Sequence, residues 1–216
     1  VVALVVALPL VYLVIRAVGA GEDAWSLLLR PRTAMVLLRT VALVATVTVA
    51  SMILAVSVAW LTVRTDLPWR RYWGVAAALP LVIPSFVFAL VAQVALGPRG
   101  MLQQALEALF GVDEIPSIYG FPGASLTLIM LSYPYVLLPA QSSLRRQAPI
   151  LDDASRSLGH GRFATLRLVT LPMLGPAVGA GGLLVALYTL TDFGAVSLLR
   201  YETFTWAIFV QFGPYF

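Results

Sequence analysis

Few residues in this sequence can do chemistry. Asp192 is the one clear carboxylate inside a long apolar stretch, His160 is the single histidine, and Asp152 and Asp153 stand side by side in a polar loop. There is no cysteine, and all 14 basic residues are arginine. His160 has no Cys, Glu or second His near it, so it completes neither a metal ligand set nor a nucleophile–base–acid arrangement, and it reads as a solvated loop histidine. With no lysine the chain has no Schiff-base amine and no Walker A loop, because that loop needs a lysine on the nucleotide phosphates. An enzyme in the usual sense is thereby disfavoured, no metal or cofactor is expected on this chain, and any ATP hydrolysis has to come from another one. Intramembrane ionisable groups are costly and face protein or a water-filled path. Asp192 is therefore a candidate for such a path or for a polar lock; the plainer alternative is a boundary position where it caps the following turn.

The composition says what solvent these residues live in. Hydrophobic residues make up 60% of the 216 and charged residues 11%, against about 45–50% and about 25% in a soluble domain, and the mean hydropathy is +0.92. Lipid and neighbouring helices must bury this chain's apolar surface. The net charge of +4 is carried by arginines scattered around the apolar runs, which argues against nucleic acid as a partner. The lack of cysteine leaves the redox compartment open. The sequence starts at Val1 inside an apolar run and stops just after Gly213 and Pro214, so it reads as a piece of a longer chain, one transmembrane domain over 1–216. A cleaved leader over Val1–Val18 is disfavoured by Arg16, by Gly19 and by the lack of a preceding basic region.

Five apolar runs are long enough to place as spans: Val1–Val18, Val36–Val63, Tyr72–Leu96, Ala124–Leu144 and Leu174–Leu199. The second exceeds the crossing length and is expected to tilt or protrude. Pro80 and Pro84 are expected to break or kink the third, and Gly175, Gly179 and Gly182 to give the fifth a small-residue packing face. Between spans, Met101–Phe110 has leucines at 102, 106 and 109, the spacing of a short amphipathic helix on the membrane surface. Thr203–Phe216 is too short to cross and is expected to be interfacial or an incomplete sixth span. The expected fold is thus all-α: a polytopic helical bundle, five spans visible, plus an interfacial C-terminal segment. With the amino end cytoplasmic, Arg64, Arg70, Arg71, Arg145, Arg146, Arg156, Arg162 and Arg167 fall inside, eight of the 14, as loop arginines prefer. The loop over 145–173 then becomes the largest cytoplasmic feature.

That loop predicts a helix–turn–helix knob. Pro149 suits a first helical turn, Asp152 and Asp153 suit the positive end of the helix dipole, and Gly159 can take the left-handed conformation that closes the helix. Leu151, Ala154 and Leu158 share one side, and a second short helix over about Arg162–Val169 is expected to end before Pro172. The spacing Asp153-Ala154-Ser155, three residues, Gly159, nine residues, Val169, one residue, Leu171-Pro172 resembles the "EAA" coupling motif of binding-protein-dependent ABC importer permeases. It departs from that motif with Asp for Glu, Ser for the second Ala and Val for Ile.

Further segments resemble the ferric-iron-type branch of that family, in which two permease halves are often fused. They are Arg64-Thr65-Asp66-Leu67-Pro68, Leu79-Pro80-Leu81-Val82-Ile83-Pro84-Ser85, Gly97-Pro98-Arg99-Gly100, Tyr133-Pro134-Tyr135, Asp192-Phe193-Gly194-Ala195-Val196-Ser197 and Thr203-Phe204-Thr205. The resemblance implies a type I importer permease in a bacterial or archaeal cytoplasmic membrane, working by alternating access. It implies ABC ATPase subunits that carry the ATP, an extracytoplasmic substrate-binding protein, a second permease half (a second copy or a fused one) and ferric iron as cargo. It assigns ATPase coupling to Asp153, Ala154, Ser155, Gly159, Leu171 and Pro172, and Leu151 and Leu158, on one side of the same knob, join them as coupling candidates. Asp192, Gln93, Tyr133, Tyr135 and Pro84 are the candidates for the substrate path. The rivals are a sibling importer for thiamine, phosphonates, polyamines or oxyanions, a secondary transporter driven by an ion gradient, and a membrane assembly subunit that transports nothing.

Overall fold

A computed structural model describes residues 7, 11–12, 14–15, 30–98, 100–111, 117–146, 155, 157–159 and 161–212. The expected first span, Val1–Val18, lies outside the described residues apart from scattered positions. Among the described residues there are helices and no strands.

Helix α1, Pro31–Arg64, runs 34 residues, about 51 Å at 1.5 Å per residue, well beyond the roughly 30 Å of hydrocarbon. Pro31 opens it after the extended Arg30, where a missing N–H costs nothing. Its hydroxyls are tolerable in lipid because Thr40, Ser57 and Thr62 each donate to the carbonyl four residues back, at 2.8 Å. Val36, Thr40, Leu43, Val47, Ser51, Ala55, Ala59 and Thr62 form the buried stripe at helical spacing, while Leu37, Leu38, Val41, Val49 and Ile53 face outward.

The expected third span, Tyr72–Leu96, is not one helix. It is α2, Arg70–Ala76, a 3₁₀ turn, Leu79–Val82, and α3, Ser85–Leu96. The prolines explain the break. Pro80 has no N–H to give, and Pro84 drives Ile83 into extended backbone with φ −87° and ψ 126°. Leu81 donates to Ala78 instead, and the Tyr133 hydroxyl supplies Ala77 O with a donor at 2.6 Å. Beyond Gly97 and Pro98, α4, Met101–Phe110, stands as a separate helix with no buried residue, closed by Gly111 at φ 65°. The short helix expected over these residues is therefore present as a helix of its own.

The fourth span is α5, Phe121–Ser132, followed through Tyr133 by α6, Pro134–Arg146. Over this stretch 61% of the apolar window is buried, against 18–28% for the other long apolar stretches, which makes it the centre of the bundle. After it come α7, Arg162–Thr165, a π-helical turn, Leu166–Thr170, and α8, Leu171–Thr191, as one continuous helix. The second loop helix therefore does not end before Pro172. Leu171 N–H reaches back five residues to Leu166 O, and this wider turn accommodates a proline whose ring would crowd the carbonyl of Leu168 in a regular α-helix.

The expected fifth span, Leu174–Leu199, also needs correction. Its helix stops at Thr191, Asp192 is extended, and a short α9, Gly194–Leu198, follows. Then α10, Phe204–Phe212, covers the described part of the C-terminal segment. Helices α1, α6 and α8 pack against one another. The approach of α8 is close because a Cβ on Gly181 would lie 2.7 Å from Val136 Cα and one on Gly182 would strike Met52. Gly175 and Gly179, expected to share that packing face, have open space beside them and look away from the bundle. Within the bundle, Gln141 Nε2 donates to Thr62 Oγ1 at 3.0 Å, and Ser51 and Ser132 share a hydrogen bond of 3.3 Å. Polar groups buried in this way hold helices together only when paired.

Candidate functional site

Two places concentrate the candidate residues, at different levels of the bundle. The first is where the break in the third span meets the break after α8. Ser85, following Pro84, starts α3, and Gly194 starts α9; a Cβ on Gly194 would lie 2.9 Å from Ser85 Oγ and 3.1 Å from Phe86 N. Glycine is required for that approach. Asp192 sits at the turn and is only 7% exposed. Its Oδ1 accepts Ala195 N–H at 2.9 Å, its backbone N–H donates to Tyr188 O at 3.0 Å, and its carbonyl accepts the Thr205 hydroxyl at 3.0 Å. The carboxylate therefore competes with helix continuation and wins. It is both buried and the cap of the following turn.

The other path candidates divide. Tyr135 packs its ring on Tyr188, with centroids 5.5 Å apart, so Tyr135, Tyr188, Asp192 and the Pro84–Ser85 junction belong to one region of broken helix and aromatic hydroxyls. Gln93 is further along α3, where its Nε2 bonds Leu198 O. Tyr133 is apart from these, committed to Ala77 O in the core. Ser85 and Tyr188 were missed from sequence. Position held the clue: Ser85 directly follows the helix-breaking Pro84, and Tyr188 lies in the last turn of α8, four residues before Asp192.

The end of the bundle carrying α9 and α10 is tied down by contacts far apart in sequence. Arg39 pairs with Glu202 at 3.0 Å, Tyr201 hydroxyl donates to Arg39 O at 3.1 Å, Phe204 N–H donates to Thr40 Oγ1 at 3.0 Å, and Gly120 N–H donates to Leu199 O at 2.7 Å. Burial raises the Tyr201 pKa while the Arg39 charge lowers it, and burial dominates. The phenol stays protonated and able to donate.

The second place is the loop elbow. Leu151, Asp153 and Ala154 lie outside the described residues. Of the rest, Ser155 is buried, Leu158 is 79% exposed at the tip, and Gly159 has φ +87°, the left-handed conformation that favours glycine. Ser155 Oγ and Thr165 Oγ1 share a buried hydrogen bond of 3.0 Å across the turn. Pro172 is exposed, and Leu171 joins Leu166, Met52, Val56 and Trp60 around an apolar groove of about 530 Å³. The elbow is thus continuous with α8, whose far end is the Asp192 break. The described ends of α1 and α6 put Arg64, Arg145 and Arg146 near this end of the bundle.

Four stretches among the described residues have the length and apolarity to cross a membrane, Pro31–Arg64, Ser85–Phe110, Phe121–Arg146 and Leu166–Thr191. An all-α bundle of this make, with helices broken inside the apolar zone, is a multi-pass membrane protein. Over 206 residues, 95% of this chain and 37% of the relative, it is 34% identical to the Fe(3+)-transport system permease protein FbpB 2 of Haemophilus influenzae. It is 31% identical to the molybdenum transport system permease protein ModB of Escherichia coli over 63% of this chain and 58% of that one. It is also 31% identical to the inner membrane ABC transporter permease protein YdcU of Escherichia coli, over 77% of this chain and 57% of that one. No family model matches the chain. The chain is thus a homologue of inner-membrane ABC transporter permeases, and it spans 37% to 58% of the length of these relatives.

Proposed function

We propose that this chain forms part of the translocating subunit of an ATP-driven importer, with ATP bound and hydrolysed on separate ATPase subunits and cargo delivered by an extracytoplasmic binding protein. The observation that carries this reading is the elbow. An exposed apolar tip at Leu158, a left-handed Gly159 and an unbroken helix from Arg162 to Thr191 make a lever from the membrane face to the Asp192 break. In this reading Leu151, Asp153, Ala154, Ser155, Leu158 and Gly159 dock on an ATPase subunit, and Leu171 and Pro172 carry the movement into α8. The Pro84, Tyr135 and Asp192 region, with Gln93 beyond it, shapes the path, and Tyr133 supports it from the core. A second permease half, another copy or a fused one, completes the path, and the outward-looking Gly175 and Gly179 suit that contact.

Ferric iron is the proposed cargo, supported by the ordered ferric-type segments and by the ferric permease that matches 95% of the chain. An oxyanion is the second reading, because the molybdenum permease matches as well. Purification of the full-length protein with its ATPase and binding protein, followed by uptake assays in proteoliposomes, tests both. Iron uptake that requires ATP is expected. Molybdate uptake without iron uptake overturns the cargo assignment, and uptake that survives removal of the ATPase overturns the importer reading in favour of an ion-driven carrier.

A further inference from the structure

The sequence departs from the coupling motif at Ser155, where the motif has its second alanine, and the structure places the extra hydroxyl 3.0 Å from Thr165 Oγ1. Both residues are 5% exposed. Between them lie a tip residue, Leu158, and two exposed glycines, Gly159 and Gly161, beside which a Cβ would meet nothing. Glycines widen the conformational range of such a turn, and the bond between Ser155 and Thr165 narrows it by tying the two arms together. Thr165 also directly precedes the π turn at Leu166–Thr170 and has its own N–H on Gly161 O at 3.0 Å.

We propose that Ser155 and Thr165 form a hydroxyl clasp that fixes the angle of the elbow, so that force on the Leu158 tip turns α7 and α8 as one body instead of flexing the Gly159 turn. Thr165 is then a positioning residue for coupling that the sequence motif does not contain. A serine in the alanine position is useful here because a buried hydroxyl needs a partner, and each of these two supplies the other's. The clasp rests on the coupling role proposed above; its geometry does not.

These 216 residues hold no cysteine, so any native cysteine of the full-length protein lies outside them and is replaced first. In the full-length protein, Ser155→Cys with Thr165→Cys should form a disulfide on mild oxidation, since the two hydroxyls already touch. Assembled with the ATPase and binding protein, the oxidised form should transport near the wild-type amount of substrate per ATP, and reduction to two thiols should lower that ratio about fivefold. Thr165→Val should lower it likewise, and Thr165→Ser, which keeps the hydroxyl, should restore it. Hydrogen exchange over 155–165 should quicken in the Val variant and not in the Ser variant. Failure of the disulfide to form overturns the clasp itself, in the permease alone and whatever the fuel. A disulfide that forms but leaves substrate per ATP equal in both redox states, or a Thr165→Ser variant as impaired as Thr165→Val, overturns the positioning role. Transport that continues without any ATPase overturns the coupling reading on which that role rests.

Discussion

Asp192 Oδ1 accepts the N–H of Ala195 at 2.9 Å, and around this bond the long apolar helix α8 ends and the short helix α9 begins. The carboxylate is removed from lipid by the same turn that it caps. Asp192→Leu should remove the cap, worth about 1 kcal/mol, and place an apolar side chain among groups arranged for a polar one. Transport should fall more than membrane insertion does, and Asp192→Asn, which keeps an oxygen acceptor, should retain more transport than Asp192→Leu. Uptake and membrane-fraction yield measured on the same preparations check this.

Gly159→Val should leave the spans inserted and lower transport together with substrate-stimulated ATP hydrolysis. No atom lies within 4 Å of a Cβ at this position, so the penalty comes from φ +87° alone. It should be about 1–2 kcal/mol for a β-branched residue. Cross-linking from Leu158→Cys to the ATPase shows whether the altered elbow still docks.

Gly181→Val should destabilise the bundle, because its Cβ would stand 2.7 Å from Val136 Cα, a backbone atom that cannot step aside. Overpacking of this kind costs about 1–3 kcal/mol. Gly179→Ala, with nothing within 4 Å, should not lower the single chain's stability and should raise it by up to about 1 kcal/mol, because alanine is the better helix former. Thermal unfolding in detergent compares the two directly.

Tyr133→Phe should cost about 1–3 kcal/mol by leaving Ala77 O without its donor at the break in the third span. Arg39→Ala should cost far less, at most about 1 kcal/mol, since the pair with Glu202 is exposed on both sides. Unfolding midpoints of the two variants should differ in that order.

The membrane solvent and the all-α class follow from composition and run length, because lipid forbids unpaired backbone and leaves little choice but helices. Gly159 was also legible, since few residues other than glycine tolerate the conformation needed to close such a turn. Proline was legible only in part. Pro80 and Pro84 break a helix, yet Pro172 lies inside one, because a π turn absorbs it. Which outcome follows depends on the packing around the ring. Asp192 shows the same limit. Its rarity in an apolar run was visible in the sequence, but whether it lines a path or caps a turn depended on Ala195, Tyr188 and Thr205 meeting it. The pairs Ser85 with Gly194 and Arg39 with Glu202 join residues far apart in the chain. Hydropathy reads each helix against lipid one at a time, whereas helix-to-helix register is set by close fits such as Gly181 on Val136, and only the tertiary structure decides them.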